Sequence, residues 1–299
     1  MTKKSIIQFS IFALASAFVA GCGSKPAEEN QTSIDTNLVD SNSQILDAVD
    51  ELLTKLPRPS EIPNLIAMTG ADFQIKLLNP LENAEKISEN RSKSAFSIGV
   101  YSADVAYMAA YDKGQDAIKT FVVGKKLAER VGVASAFDQT IVTRIEKNLN
   151  NRDSLISISD NSMRQSTNLL RTNEQLKEAS LVAAGGLIEG IFLACGLIHD
   201  YPPTGLPQKE QDRILVPLVN SVINQEKTLN GLIELLNKIN DNDADLTAII
   251  TKLNVAKDIY AKANWPQKMA ENKGNMIPSE KDIHELAVAI ADIRNSLTK

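Results

Sequence analysis

From Ile45 to the C-terminus, apolar residues recur mostly at spacings of three and four, which is the period of an amphipathic helix. No segment alternates apolar and polar residues between hairpin turns, so no sheet is predicted. A first apolar stripe runs from Ile45 to Leu56, and residues 58–80, which contain three prolines, are expected to form short helices and turns. Further helices are predicted at 82–90, 93–112, 115–131, 135–149, 153–177, 179–199, 208–238, 243–263 and 280–297. The pattern predicts an all-α fold, either a multi-helix bundle or an irregular array of antiparallel helix pairs.

Polar residues and prolines mark the expected ends of these helices. Asp153 is predicted to be an N-cap, and Ser279 resembles one before the last helix. The segments from Tyr201 to Pro207 and from Asn264 to Pro278 are expected to be loops. Pro217 falls inside a helical pattern, so it should kink that helix or lie in its first turn.

Two of the predicted helices carry a face made of small residues. Small residues recur every three or four positions in helix 93–112 (Ala95, Gly99, Ala103, Ala106 and Ala110) and in helix 179–199 (Gly186, Gly190 and Ala194). Small side chains let two helix backbones approach closely. Both helices are therefore expected to be central, and they are candidates to pack on each other.

The run from Leu181 to Ile198 is almost wholly apolar and contains one charged residue, Glu189. It can be interpreted as a transmembrane helix or as the buried central helix of a large α-domain. A charge in the middle of a membrane span is costly, and the neighbouring helices are ordinary amphipathic ones. The buried central helix is the favoured interpretation.

The N-terminus has the organisation of a secretory signal. Lys3 and Lys4 precede a mostly apolar stretch, which ends in the sequence Val19-Ala20-Gly21-Cys22. This sequence resembles the lipobox of bacterial lipoproteins. The resemblance implies cleavage after Gly21 and a diacylglyceryl group on the Cys22 thiol, which would anchor the mature chain to a membrane. An ordinary secretory signal with an incidental cysteine is the alternative.

The chain is accordingly divided into a lipoprotein signal peptide at 1–21, the lipidated Cys22 with a flexible tether at 22–43, and a single all-α domain at 44–299. The tether is expected to be flexible because residues 23–43 are polar and contain few apolar residues. By analogy with lipoprotein sorting, the absence of an Asp directly after Cys22 favours the outer membrane of the cell envelope. The sequence does not indicate the leaflet.

Charge and composition disfavour two classes of function. The formal net charge is −5 for the whole chain and two units more negative without residues 1–21, which contain Lys3 and Lys4. A mildly acidic chain without a basic block argues against nucleic-acid binding. Aromatic residues make up 5%, with Trp265 as the single tryptophan, which disfavours a carbohydrate-stacking surface. With Cys22 lipidated, Cys195 has no disulfide partner in the chain, and it is expected to be a small buried apolar residue.

Two carboxylates lie in otherwise apolar helices. Glu189 is in the apolar run, and Asp104 shares a face with Tyr101, Tyr107 and Tyr111. A buried carboxylate must be paired, hydrogen-bonded or protonated. Glu189 and Asp104 are therefore interpreted either structurally, with an Arg or Lys next to Glu189 and hydroxyls or a helix end next to Asp104, or functionally, as an acid–base pair in a helical cleft.

No motif for a cofactor, a metal or a nucleophile is present. The chain has two histidines, His199 and His284, and no paired cysteines, phosphate-binding loop or nucleophile elbow. No cofactor and no metal are predicted.

Three short segments carry a resemblance between the body and known proteins. Residues 99–104, 148–153 and 185–190 resemble signatures of a family of uncharacterised helical lipoproteins of Gram-negative bacteria, over roughly residues 85–200. The position of Leu187 is often Trp in that family. The resemblance implies no activity, but it directs attention to Asp104, Arg152 and Glu189.

Two functional hypotheses follow. The first is a non-enzymatic helical binding or scaffold module, held at the membrane by its lipid anchor, with an envelope protein or a small ligand as candidate partner. Its candidate binding residues are Tyr101, Asp104, Arg152 and Glu189. The second is an envelope hydrolase that uses Asp104 and Glu189 in an open cleft, with the two carboxyl groups about 5–10 Å apart.

Overall fold

A computed structural model describes residues 47–200 except 48, 50, 55, 88 and 138, and then residues 207–271 and 280–299. The signal peptide, Cys22 and the tether lie outside the described residues, as does Ser279. Every regular element within these ranges is helical, which confirms the all-α fold. The α-helices are α1 Glu61–Met68, α2 Asn83–Lys86, α3 Arg91–Ala110, α4 Gly114–Val131, α5 Gln139–Lys147, α6 Arg152–Thr172, α7 Leu176–Asp200, α8 Gln208–Lys238, α9 Ala244–Ala263, α10 Trp265–Glu271 and α11 Glu280–Thr298.

Three polar residues act as N-caps of the helices α3, α6 and α9. The side chains of Asn90, Asn151 and Asp243 each accept a hydrogen bond from a backbone N–H in the first turn. The prediction of Asp153 as an N-cap is wrong, because Asp153 already lies inside the first turn of α6. Asn151 is the cap, and its Oδ1 lies 2.9 Å from the nitrogen of Ser154.

The structure places other helix boundaries differently from the prediction. The predicted loop 264–278 contains α10, whose Pro266 lies in the first turn, where its missing N–H costs nothing. The predicted helix 135–149 is divided into a 3₁₀ turn, Ala134–Phe137, and α5. The break between α6 and α7 falls at residues 173–175, where Glu174 has a φ of 59°. Pro217 lies in the interior of α8 rather than in its first turn.

Helices α3 and α7 form the centre of the body. Helix α3 packs most extensively against α7 and also contacts α4 and α6, whereas α7 contacts α6, α8 and α11. Nearly every residue of α3 is buried, as is most of α7. The predicted central position of these two helices is confirmed.

The two central helices touch backbone to backbone. A Cβ atom on Gly99 would lie 2.0 Å from the carbonyl oxygen of Val182, and one on Gly185 would lie 1.9 Å from that of Phe96. The predicted small-residue face of α3 is therefore at the crossing. On α7 the crossing is centred on Gly185 rather than on Gly190, which faces Ile62 of α1.

Helix α7 is long and apolar enough to cross a membrane, and 78% of its most apolar 18-residue window is buried within the body. Helix α7 is therefore surrounded by other parts of the domain, as predicted for a buried central helix. Cys195, on the same helix, is completely buried, and this burial raises the pKa of its thiol to about 12. The thiol is therefore protonated and unreactive at neutral pH.

The substitution Gly185→Ala tests the helix crossing. We expect it to lower the free energy of unfolding by about 1–3 kcal/mol or more, because the added methyl group meets a backbone carbonyl that cannot move independently. Gly124→Ala in α4 is a matched control, since its nearest neighbour would be 3.6 Å away. The control should stabilise the protein slightly, as Ala favours helix over Gly by about 1 kcal/mol. Urea unfolding followed by circular dichroism measures both changes, and equal effects of the two substitutions would contradict the close crossing.

Candidate functional site

Glu189, the single charged residue of the apolar run, is paired with an arginine from the other end of the domain. The Nε and Nη2 atoms of Arg294, on α11, both donate to the Glu189 carboxylate, with Nη2 at 2.9 Å from Oε1. Glu189 has no solvent exposure and Arg294 has 4%. The Arg294 guanidinium also lies over the ring of Phe192, 4.3 Å from its centroid. Glu189 therefore has the basic partner that its structural interpretation requires, and that partner is Arg294.

Asp104 lies beside this ion pair and is also completely buried. Its Oδ2 accepts a hydrogen bond from the backbone nitrogen of Asn79 at 3.0 Å. Burial, followed by the negative charge of Glu189, raises the pKa of Asp104 well above its ordinary value, and Arg294 only partly opposes this. The raised pKa favours the protonated form of Asp104, which can share its proton with the neighbouring Glu189 carboxylate. Oδ1 of Asp104 is buried and accepts no hydrogen bond from the described residues.

The face of α3 that contains Asp104 holds the backbone of residues 71–80, which we name the cover segment. Tyr101, Tyr107 and Tyr111 each make a hydrogen bond through the hydroxyl group, to the Pro80 oxygen, the Gln74 nitrogen and the Ala71 oxygen respectively. Arg294 adds a bond from Nη2 to the Leu77 oxygen at 3.0 Å. The cover segment runs antiparallel to α3, and side chains of α3 and α11 satisfy its backbone groups.

The cover segment and the neighbouring helices close this cluster from solvent. The structure brings Asp104 and Glu189 together, but it gives neither carboxylate the access to solvent or substrate that a hydrolase needs. Asp104 is bound to a loop N–H and to Glu189, rather than to the hydroxyls or the helix end expected from the sequence. The arrangement can stabilise the fold and hold a proton, and it supplies no binding surface.

The two histidines lie closer in space than in sequence. The ring centroids of His199 and His284 are 6.2 Å apart, and Nδ1 of His199 is 3.0 Å from Oδ1 of Asp200. Asp200 is in turn paired with Lys76 at 2.8 Å. Across the described part of the chain, no group of three or more His, Cys, Asp or Glu side chains is placed to hold a metal ion.

A surface groove of about 610 Å³ lies between α6 and the segment that precedes α1. The sequence carries no signal for this groove, although Arg152, one of the candidate binding residues, is hydrogen-bonded to Asn64 in its lining. One wall is formed by Leu53 and residues 56–60, and the other by one face of α6. The side chains that line the groove include apolar ones (Leu53, Leu56, Pro57, Pro59, Ile156 and Met163) and polar or charged ones (Arg58, Asn64, Asp153, Ser157, Asp160, Asn161, Arg164 and Asn168).

Two polar links join α6 to Ser60 on the opposite wall and to Asn64 on α1. The Asp160 carboxylate accepts hydrogen bonds from the backbone nitrogen of Ser60 at 3.2 Å and from its hydroxyl group at 2.7 Å. Near the start of α6, Nη2 of Arg152 donates to Oδ1 of Asn64 at 3.2 Å. Both residues of α6 are therefore used to fix the shape of the groove. The predicted candidate Arg152 lies about two helical turns from Asp160 on α6 and apart from the Asp104 cluster.

Two arginines on the groove have no carboxylate partner within ion-pair distance among the described residues. Arg58 and Arg164 are both exposed. Arg164 donates to the amide oxygen of Asn161 at 2.9 Å. The positive charge of Arg58 lowers the pKa of Asp160 without forming an ion pair with it. A volume of this size, with apolar side chains and a few charged ones, is typical of a ligand site.

Comparison of the chain with family models, with curated proteins and with solved structures finds no match. The resemblance to helical lipoproteins therefore stays a prediction.

The proton on Asp104 predicts how stability depends on pH. Between the ordinary pKa of 3.8 and the higher pKa in the folded state, the folded protein keeps a proton that the unfolded chain has released. This contribution to stability is complete below pH 3.8 and is lost as the pH rises through the window, by up to about 1.4 kcal/mol per pH unit. Asp104→Asn keeps the hydrogen bonds and removes the titration. The free energy of unfolding of the variant, relative to wild type, should therefore rise as the pH increases from 3.8 towards the folded-state pKa of Asp104.

Urea unfolding at several pH values measures this difference. Asp116→Asn, at an exposed carboxylate, corrects for the general effect of removing a negative charge. Parallel pH curves for wild type and Asp104→Asn would show that Asp104 carries no proton in the folded protein.

Proposed function

We propose that the protein is a lipid-anchored helical module of the cell envelope, without enzymatic activity, that binds its partner in the groove between residues 53–60 and α6. The binding part of this proposal rests on the presence of the groove. It is open, of ligand size, and lined by charged groups that the fold leaves without ion-pair partners.

The sequence of the N-terminus supports the anchor. The order of a basic start, an apolar stretch and Val19-Ala20-Gly21-Cys22 is that of a lipoprotein precursor. Two or three acyl chains bind a membrane stably, whereas one binds reversibly. The outer membrane is the proposed location because no Asp follows Cys22.

The buried polar groups support a binding module over the hydrolase hypothesis. Asp104 and Glu189 hold each other and the core, and neither contacts the groove. The groove itself contains no histidine and no cysteine, and both oxygens of its partly buried Asp160 are bound to Ser60. These groups suit recognition rather than acid–base or nucleophilic catalysis.

The anchor is tested by metabolic labelling with an alkyne analogue of palmitate. We expect label in the wild-type protein and none in Cys22→Ala, because the cysteine thiol is the proposed site of acylation. Density-gradient fractionation of the labelled cells should place the wild-type protein with the outer membrane. Finding an unmodified Cys22 thiol in the native protein by mass spectrometry would exclude the lipid anchor.

The binding groove is tested by a photo-crosslinking amino acid placed at Ser157, which is exposed on the groove face of α6. The matched control is the same amino acid at Gln165, which is exposed on the same helix but does not line the groove. In living cells that make the full chain, irradiation should give a discrete adduct from position 157 and none from position 165. Equal results at the two positions would mean that this groove is not a binding surface.

A further inference from the structure

The geometry of the groove points to its ligand, and we infer that it binds an extended peptide segment of a partner protein that carries a carboxylate side chain. This inference rests on the proposed binding function and specifies the class of partner. It follows from a polar stripe on α6, from the position of Arg164 in that stripe, and from the apolar wall opposite.

The polar stripe is formed by Ser157, Asn161, Arg164 and Asn168, which all line the groove. Their spacings of four, three and four residues place them on one face of α6. At a rise of 1.5 Å per residue the stripe is about 16 Å long, which corresponds to roughly five residues of extended chain at 3.3 Å each. Hydroxyl and amide groups can both donate and accept hydrogen bonds, so the stripe can satisfy the N–H and C=O groups of a peptide backbone.

Arg164 is held in place by its neighbours on the stripe. Its Nη2 donates to Oδ1 of Asn161 at 2.9 Å, and Nδ2 of Asn161 donates to the hydroxyl oxygen of Ser157 at 3.2 Å. The remaining N–H groups of the guanidinium are left for a ligand. A guanidinium fixed in this way suits a carboxylate, which it can bind through two parallel hydrogen bonds.

The opposite wall supplies apolar contacts. Leu53 and Leu56 on this wall are half-buried and line the groove, as does Ile156 on α6. Pro57 and Pro59 lack backbone N–H groups, so this wall offers few hydrogen bonds to a ligand. Successive side chains of an extended peptide point in opposite directions. One set can therefore contact the apolar wall while the backbone and the alternate set face the stripe.

The same residues argue against other classes of ligand. The lining contains no aromatic side chain on which a sugar ring could stack. A cation would need acceptor groups, but both oxygens of Asp160 already accept from Ser60. Asp153 lies in the first turn of α6, where the helix dipole stabilises its negative charge. The two arginines without ion-pair partners are the charges still available to a ligand.

The experiment compares two libraries of octapeptides, acetylated and amidated at their ends, against the full mature chain in detergent micelles. The libraries are identical except that one has Glu and the other Gln at a fixed central position, and affinity selection with mass spectrometry identifies the bound peptides. We expect the Glu library to be enriched at least tenfold over the Gln library. Arg164→Gln should weaken binding of the selected peptide by about tenfold to a hundredfold. Arg144→Gln, at an exposed arginine of α5 outside the groove, should leave binding unchanged.

A second pair of variants tests the groove independently of charge. Ser157→Trp fills the groove and should abolish binding of the selected peptide, whereas Gln165→Trp on the same helix should not. Circular dichroism confirms that all variants are folded. Equal selection of the two libraries, or full affinity in Arg164→Gln, would overturn the role of the carboxylate.

The outcomes also separate this inference from the proposed function. Failure to select peptides from either library, together with a discrete adduct from the crosslinker at position 157 in cells, would overturn the peptide class and leave the binding groove standing. Failure of both experiments would overturn the groove as a binding site.

Discussion

The Glu189 carboxylate lies in the most apolar helix of the domain without any exposure to solvent, so the fold depends on a cation beside it. Arg294 is that cation, and because it comes from α11 it joins the C-terminal helix to the central one. The same guanidinium binds the Leu77 oxygen and so holds the cover segment. Removing one member of such a pair leaves a buried charge without a partner and typically costs about 3–5 kcal/mol. One ion pair therefore couples the position of α11, the closure of the cover segment and the protonation of Asp104.

The close contact of α3 and α7 helps to bury Asp104, and burial is the largest cause of its raised pKa. Backbones that touch at Gly99 and Gly185 exclude water from the space around them. Asp104 and Glu189 are on these two helices, and a second negative charge there would face only one guanidinium. A proton shared by the two carboxyl groups would balance the charge of the cluster with the single arginine. Helix packing thus raises the pKa of Asp104, and these buried polar groups contribute to the stability of the domain.

Features that depend on local pattern could be predicted from the sequence, and features that depend on distant partners could not. The helical period gave the all-α fold, and small-residue spacing gave the central helices. The need of Glu189 for a basic partner was predictable, but its identity was not, because Arg294 is 105 residues away in the chain. The groove has no sequence signature, since its walls come from residues 53–60 and from α6, and the residues that join them, Ser60 and Asp160, are 100 residues apart.

Because the Asp104 cluster is closed to solvent, any ligand has to bind at the surface of the domain. At the groove, hydrogen bonds fix the surface shape. Its outer wall, residues 53–60, comes within the first part of the described chain and follows the predicted tether. The bonds from Ser60 to Asp160 and from Arg152 to Asn64 attach the wall and α1 to α6, which packs on the central helices. A ligand that contacts both the wall and α6 would add a third connection, so its binding would stabilise the attachment of the wall to α6.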